Sequence, residues 1–240
     1  MNDLDLALAA ARAGAEVIRR GCGHVTTVDY KGEVDPVTAI DRESEDRIRT
    51  LLSKERPDDE ILGEEGGGSL SDAKRTWIVD PLDGTVNFVH GVPHVAVSIG
   101  LYEGEQPVIG VVVDVFRRNE FHATKGSGTW LGDQRLNVST TAKLDGALVA
   151  TGFPYDRRDH AAEYAHTLGV VLTRVQGLRR MGTASLDLAW VAAGRYDAFW
   201  ELKLAPWDVA AGILLIREAG GAVTNRAGAP SHPADSHFIA

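Results

Sequence analysis

A chain of 240 residues, 44% hydrophobic and 25% charged, has the make-up of a soluble globular protein large enough to bury a sizeable core. Its formal net charge of −9 argues against non-specific nucleic-acid binding, which needs a basic surface, and a sizeable anionic substrate would need help from bound cations. Cys22 is the single cysteine, which excludes an intrachain disulfide and gives no sign of an oxidising compartment.

Residues 1–21, MNDLDLALAAARAGAEVIRRG, mix apolar residues with Asp3, Asp5 and Glu16 and lack a basic leader before an uninterrupted apolar stretch, so they read as a structural helix. Leu4, Leu8, Ala11, Ala15 and Ile18 recur at helical spacing after a capping-type Asn2 or Asp3, and Gly21 and Gly23 close the helix. No transmembrane stretch appears, and a cytoplasmic location is the default. A second helix is predicted from about Thr38 to Lys54, with Ile40, Ile48, Leu51 and Leu52 buried and the run DRESEDR largely solvated. GGGS at 66–69 reads as a loop.

From His94 to Ser139 short β-rich runs, HVAVSIGLY, PVIGVVVDVF and EFHATK, alternate with the turn clusters EGEQ, RRN and KGSG, which predicts an antiparallel meander. Beyond Gly146 strand-like and helix-like segments alternate: ALVATG, a helix within 159–174, GLRRMG, the helix TASLDLAWVAAG, the strand YDAFWE, the helix PWDVAAGILLIREAGG and a strand at AVT. No composition break marks a linker. The expected architecture is layered α/β (α+β): an antiparallel N-terminal sheet packed beside a C-terminal α/β layer in one domain, 1–240, with approximate halves 1–145 and 146–240.

The chemistry concentrates in WIVDPLDGTVNF at 77–88. Asp80 follows an apolar run and is expected where a strand emerges, and Pro81 restricts both itself and Asp80, making the bend to Asp83 reproducible. Two carboxylates held close would repel unless a divalent cation lay between them, and with no histidine or cysteine beside them the ligands are oxygens, which suits Mg²⁺. Gly84 lets the backbone approach a ligand, and Thr85 offers a hydroxyl and an amide suited to phosphate. A plain strand followed by a turn explains the same residues. Glu64 and Glu65 in ILGEEGGG fit an exposed strand end or a solvated acidic turn. Asp208 in APWDVAAG fits a helix N-cap as well as a ligand, and Thr38 with Asp41 fits a capping pair.

Taken in order, KGEVDPVTAID (31–41), GEE (63–65), WIVDPLDGTVNFVHGVPHVAVSIG (77–100), GTAS (182–185) and ELKLAPWDVAAG (201–212) resemble the inositol monophosphatase family of Mg²⁺-dependent, lithium-sensitive phosphatases. The resemblance covers nearly the whole chain, and the signatures D-P-[IL]-D-G-T and W-D-x-A-[AG] are intact.

This resemblance implies a phosphoric monoester hydrolase that converts myo-inositol monophosphate to inositol and phosphate by metal-activated water, with no phosphoenzyme. It implies metal ligation by Glu64, Asp80, Asp83, Asp208 and the carbonyl of Leu82, with two or three Mg²⁺ ions. Catalytic roles fall to Glu64, Thr85 and Asp41, the last two orienting or deprotonating the water, and substrate contacts to Gly84, Thr85, Ala184, Glu201 and Asp208. For Ala184 close helix packing is an equal explanation. A homodimer is expected, with no membrane and no direct nucleic-acid binding. The alternatives are the same chemistry on histidinol phosphate, fructose 1,6-bisphosphate or a 3′-phosphonucleotide, or a binding role in transcription complexes as in some bacterial relatives. Two departures stand out: the chain stops at HFIA, where family members usually continue into a last helix, and the 15 residues between Glu64 and Asp80 are a short connection. The histidines, His90 and His94 among them, have no ligand-like spacing and read as surface or packing residues.

Overall fold

The computed structural model describes residues 1–23, 28–30, 36–70 and 74–240; residues 31–35 of the first family-like segment lie outside that description. Helix α1 (Asp3–Gly21) starts where the Asn2 side chain accepts from the amide of Asp5 at 2.7 Å. A two-stranded antiparallel ribbon, β1 (Val28–Tyr30) and β2 (Pro36–Thr38), leads into α2 (Ala39–Glu55), which Thr38 and Asp41 close with a reciprocal capping box. Strands β3 (Glu60–Gly63) and β4 (Arg75–Asp83) precede the short helix α3 (Thr85–Val89). The meander follows as β5 (Ala96–Glu103), β6 (Gln106–Asp114), β7 (Asn119–Thr124), β8 (Thr129–Leu131) and β9 (Gln134–Leu136).

These strands form one seven-stranded sheet in the order β3-β4-β5-β6-β7-β8-β9. It is antiparallel as expected, except that its edge strand β3 runs parallel to β4. The second half supplies β10 (Leu148–Thr151), α4 (Ala161–Leu172), β11 (Gly177–Arg179), α5 (Ala184–Ala192), β12 (Ala198–Leu202), α6 (Pro206–Glu218) and β13 (His237–Ile239). Its four strands order as β11-β10-β12-β13, with only the β12–β13 pair antiparallel. The strand expected at AVT is reduced to isolated bridges from Thr224 to Pro230 and Ile239, because β13 takes the place beside β12.

Both faces of the large sheet are covered, which is why its strands read as continuous apolar runs. Val111 and Val113 face the core shared with Leu6, Ile18 and Ile48 of α1 and α2, while Val112 faces the core shared with Leu188, Ile213 and Leu215 of α5 and α6. Phe199 and Phe238 of the second sheet close that latter core. The layers therefore run helices, sheet, helices, sheet; α4 lies across a cavity of about 560 Å³ from the second sheet. Among the described residues no helix is long and apolar enough to cross a membrane.

This packing refines the apolar edge of α1 and corrects two expectations for α2. The buried edge of α1 is centred on Leu6, Ala7, Ala10 and Gly14, so Leu4 and Leu8 are only partly buried. Ile40 and Leu51 are likewise partly buried. The run DRESEDR is not simply solvated, since Asp41, Ser44 and Glu45 are buried with 1%, 0% and 2% exposure. Their partners are polar groups of the strand and loop ends.

Helix α6 is seated on a flat strip. Gly100 and Gly110 are register partners on β5 and β6, and a methyl group at Gly110 would lie 2.7 Å from the carbonyl oxygen of Ala211. We expect Gly110→Val to lift α6 from the sheet and cost about 1–3 kcal/mol by overpacking. Urea unfolding would read this as a lowered midpoint at unchanged slope; an unaltered midpoint would contradict the close seating of α6.

Candidate active site

The sequence leads one to expect a strand ending in a turn at Asp80. Instead β4 continues to Asp83 through a bulge: Asp80 pairs with Ser98 and Asp83 with Ala96, so one extra residue is absorbed between them. The Asp80 side chain accepts from the amide of Leu82 at 3.0 Å, and the Pro81 carbonyl accepts from Ser44 Oγ at 2.8 Å. Pro81 suits the bulge because it needs no donor there.

Gly84 follows with φ 94° and ψ 39°, and a side chain there would meet Thr183 Oγ1 at 2.6 Å, so only glycine turns the chain into α3. Thr85, the first residue of α3, donates from Oγ1 to Asp41 Oδ1 at 3.0 Å; Leu82 O is a second acceptor at 3.2 Å. Asp41 Oδ2 accepts from the Thr38 amide at 2.9 Å and from Thr38 Oγ1 at 2.6 Å. The capping explanation of Asp41 and its pairing with Thr85 thus both hold, through different oxygens. Burial holds the Asp41 carboxyl above its ordinary range, against the pull of these donors.

Asp83 ends the same strand as Asp80, and the remaining acids arrive from other elements. Asp83 Oδ2 accepts from the amide of Ser185 at 2.7 Å, at the start of α5. Asp208 is the third residue of α6, after Ala205 as N-cap and Pro206 as first residue, and its Oδ2 accepts from the Ala205 amide at 2.7 Å. It is therefore not the N-cap residue itself. Glu64 follows β3, its amide donating to Val79 O at 3.3 Å. Glu201 is on β12, where a side chain at Gly152 would run into its carboxylate.

The acids repel one another. Burial and then the charges of Glu64, Asp83 and Asp208 push the Asp80 carboxyl well above the usual carboxylate range. Burial, then Asp83 and Glu64, does the same to Asp208. Asp83 is raised to about 6 by burial, and Glu201 to about 8 by burial, with Arg180 pulling the other way. Glu201 and Asp208 keep some solvent contact, whereas Asp80 is 1% exposed, so water moderates the effect at the first two. Asp80, Asp83, Glu64 and Asp208 thus lie within one another's field. Among the described residues no three of the His, Cys, Asp and Glu side chains are drawn in closely enough to hold a metal ion unaided; Asp80, Asp83 and Asp208 each have an oxygen engaged by a backbone amide.

Ala184 is 7% exposed, within the apolar core, and its side chain is a packing group. His94 is also a packing residue, edge-on to Trp190 at 5.6 Å, and its pKa is lowered to about 4 by burial and then by Arg117. Sequence reasoning missed Asp187, which sits on α5 with 1% exposure and a carboxyl pushed well above its usual range by burial, then by Glu201 and Asp83. An acid inside the apolar run SLDLAWVAA was the available signal. It also missed Arg180, whose charge acts on both Glu201 and Asp187.

Known proteins resemble the chain along its length. The model of the "Inositol monophosphatase family" matches residues 2–240. A "Nus factor SuhB" of Pseudomonas aeruginosa is 45% identical over 99% of this chain and 90% of its own, and an "Inositol-1-monophosphatase" of Caulobacter vibrioides is 48% identical over 90% and 86%. The crystal structure of the extragenic suppressor protein suhB of Bartonella henselae superposes with a TM-score of 0.93 at 41% identity, covering 98% of this chain and 92% of that one.

A raised carboxyl pKa means the folded state holds its proton more tightly than the unfolded one, so stability falls as pH rises through the folded value. His94 works in the opposite sense, but only between about 4 and its ordinary 6.5. Above pH 6.5 the raised carboxyls act alone, led by Glu201 at about 8. In chelator-containing buffer the melting temperature should therefore drop by several degrees between pH 6.5 and 8, since 1 kcal/mol shifts it by about 2–4 °C in a chain of this size. A flat or rising profile in calorimetry would contradict the crowding of these acids.

Proposed function

The chain belongs to the inositol monophosphatase family, and on that premise we propose that it is a Mg²⁺-dependent phosphomonoesterase acting on myo-inositol monophosphates. One observation carries the reading: Glu64 after β3, Asp80 and Asp83 at the end of β4, and Asp208 on α6, from three different segments, are brought into mutual repulsion at one place. A donor set made of carboxylates and a carbonyl fits a hard divalent cation and offers nothing to a thiolate- or imidazole-preferring one. In this reading Glu64, Asp80, Asp83, Asp208 and the Leu82 carbonyl would hold two or three Mg²⁺ ions. Bound there, the metal supplies Lewis acidity, charge compensation for the phosphate and a water of lowered pKa.

The chain's own groups do the rest. The hydroxyl of Thr85, tethered to Asp41 Oδ1, directs its remaining lone pairs at the attacking water, and Asp41, with its carboxyl raised by burial, is suited to take up the proton passed through Thr85. The amides of Gly84 and Thr85 would bind the phosphate oxygens. Glu201 and Asp208 would face the hydroxyls of the leaving alcohol, and burial, which raises the Glu201 carboxyl, favours a form of it that can donate as well as accept. Ala184 contributes its backbone beside Asp83 rather than its side chain. The same reading places a homodimer in the cytoplasm.

A second reading is favoured by the name of the Pseudomonas relative: a Nus-factor-like binding role besides catalysis. Partner binding that survives Asp83→Asn would separate that role from the metal chemistry.

Phosphate release should require Mg²⁺ and be inhibited by Li⁺, with kcat/KM for myo-inositol monophosphates above that for histidinol phosphate, fructose 1,6-bisphosphate and 3′-phosphonucleotides. Preference for one of the others would overturn the substrate, and metal-independent turnover the mechanism. Asp83→Asn and Glu64→Gln should each lower kcat by about a hundredfold or more. In metal-free buffer at pH 7.5 Asp83→Asn should not lower the melting temperature, because it removes a repelled charge while keeping an acceptor for Ser185.

A further inference from the structure

Positions 41, 44, 45 and 49 of α2 recur at helical spacing and share the helix's inward edge with Ile48 and Leu52. Between them they reach three parts of the site. Asp41 holds Thr85, and Ser44 holds the Pro81 carbonyl in the bulge. Glu45 and Arg49 hold the loop that carries Glu64.

The contacts of that pair are numerous for two residues. Glu45 Oε2 accepts from the amide of Glu65 at 2.7 Å, and Oε1 accepts from the amide of Gly66 at 2.8 Å and from Arg49 Nε at 2.6 Å. Arg49 Nη2 donates to Gly67 O at 2.7 Å. The Glu45 side chain is 3% exposed and that of Arg49 26%. A buried ion pair is tolerated only when further hydrogen bonds satisfy both partners, and here they come from the backbone of residues 65–67. Gly63 and Gly66 are fitted to it: a methyl group at Gly66 would sit 2.6 Å from Glu45 Oε1, and one at Gly63 would overlap the same carboxylate. On the other side of Glu64, the Gly63 amide closes onto Gly67 O at 3.1 Å.

We propose that Glu45 and Arg49 are positioning residues: their ion pair fixes the backbone on the C-terminal side of Glu64 and so presents the Glu64 carboxylate to Asp80 and Asp208. The inference rests on the cation site proposed above. A loop of two glutamates and three glycines has little rigidity of its own, and the fixed carboxylate supplies it from a neighbouring helix. Outer partners of this kind typically govern metal affinity by 10–100-fold.

Three variants test it: Glu45→Gln, which keeps shape and removes charge; Arg49→Lys, which keeps charge and removes the fork; and Glu64→Gln as reference. Mg²⁺ affinity is read by titration calorimetry and by the half-saturating Mg²⁺ concentration for phosphate release, and loop order by amide exchange of Glu65 and Gly66. Glu45→Gln and Arg49→Lys should each weaken Mg²⁺ binding about 10–100-fold with faster exchange at both amides, while kcat at saturating Mg²⁺ stays close to that of the parent. Should Glu45→Gln fail to fold, Arg49→Lys alone carries the comparison. If Glu64→Gln weakens Mg²⁺ binding and the folded α2 variants do not, the positioning role is overturned. If Glu64→Gln also leaves binding unchanged, the cation site itself is wrong.

Discussion

Carboxylates gathered in one place repel, and much of this fold is what holds them there. Asp80 sits inside a strand covered on both faces, and burial alone would favour its neutral form before Glu64, Asp83 and Asp208 are counted. The compensation is local and covalently independent for each acid. Leu82 lends an amide to Asp80, Ser185 to Asp83 and Ala205 to Asp208, so the bulge and the starts of α5 and α6 each anchor one group. Arg180 balances the remaining pair, Glu201 and Asp187, from the loop before α5.

The layering makes this convergence possible. Strand β4 lies in the middle, α2 approaches it from one face and α6 from the other, and the close strip at Gly100 and Gly110 sets the depth of α6. Every element that delivers an acid is therefore also an element of the apolar cores. The site is costly in isolation and stable only because the packing around it is extensive, a common division between stability and activity.

Much of this was legible in the residues. Helices α1, α5 and α6 and the meander follow from periodicity and turn chemistry, and D-P-L-D-G-T marks the site's centre. The pairing of Asp41 with Thr85 was also anticipated, by resemblance. What stayed hidden depended on contacts between distant segments. Asp-Pro-Leu-Asp resembles a turn, and only the ladder to Ser98 and Ala96 reveals a bulge. The run DRESEDR has the composition of a wet face, yet Ser44 and Glu45 are buried because their partners, Pro81 O and the amides of Glu65 and Gly66, lie elsewhere in the chain. Asp187, an acid inside an apolar helix, was passed over because the groups that act on it, Glu201 and Arg180, come from other segments.

The bulge in β4 has a consequence for how the gene can change. A regular ladder would oppose the residues from Asp80 to Asp83 one for one with β5; here a single surplus residue is taken up between fixed register points at Ser98 and Ala96. Because side chains alternate across a strand, opposing all four residues one for one would set Asp83 against Val95 instead of Ala96 and turn it to the opposite face of the sheet, so the surplus residue is what keeps Asp83 on its present face. Point substitutions at Pro81 or Leu82 alter one group, whereas a deletion would remove the bend in which the Leu82 amide reaches Asp80 and the Pro81 carbonyl meets Ser44. Reading-frame length at these four positions is thus under as strong a constraint as their identity.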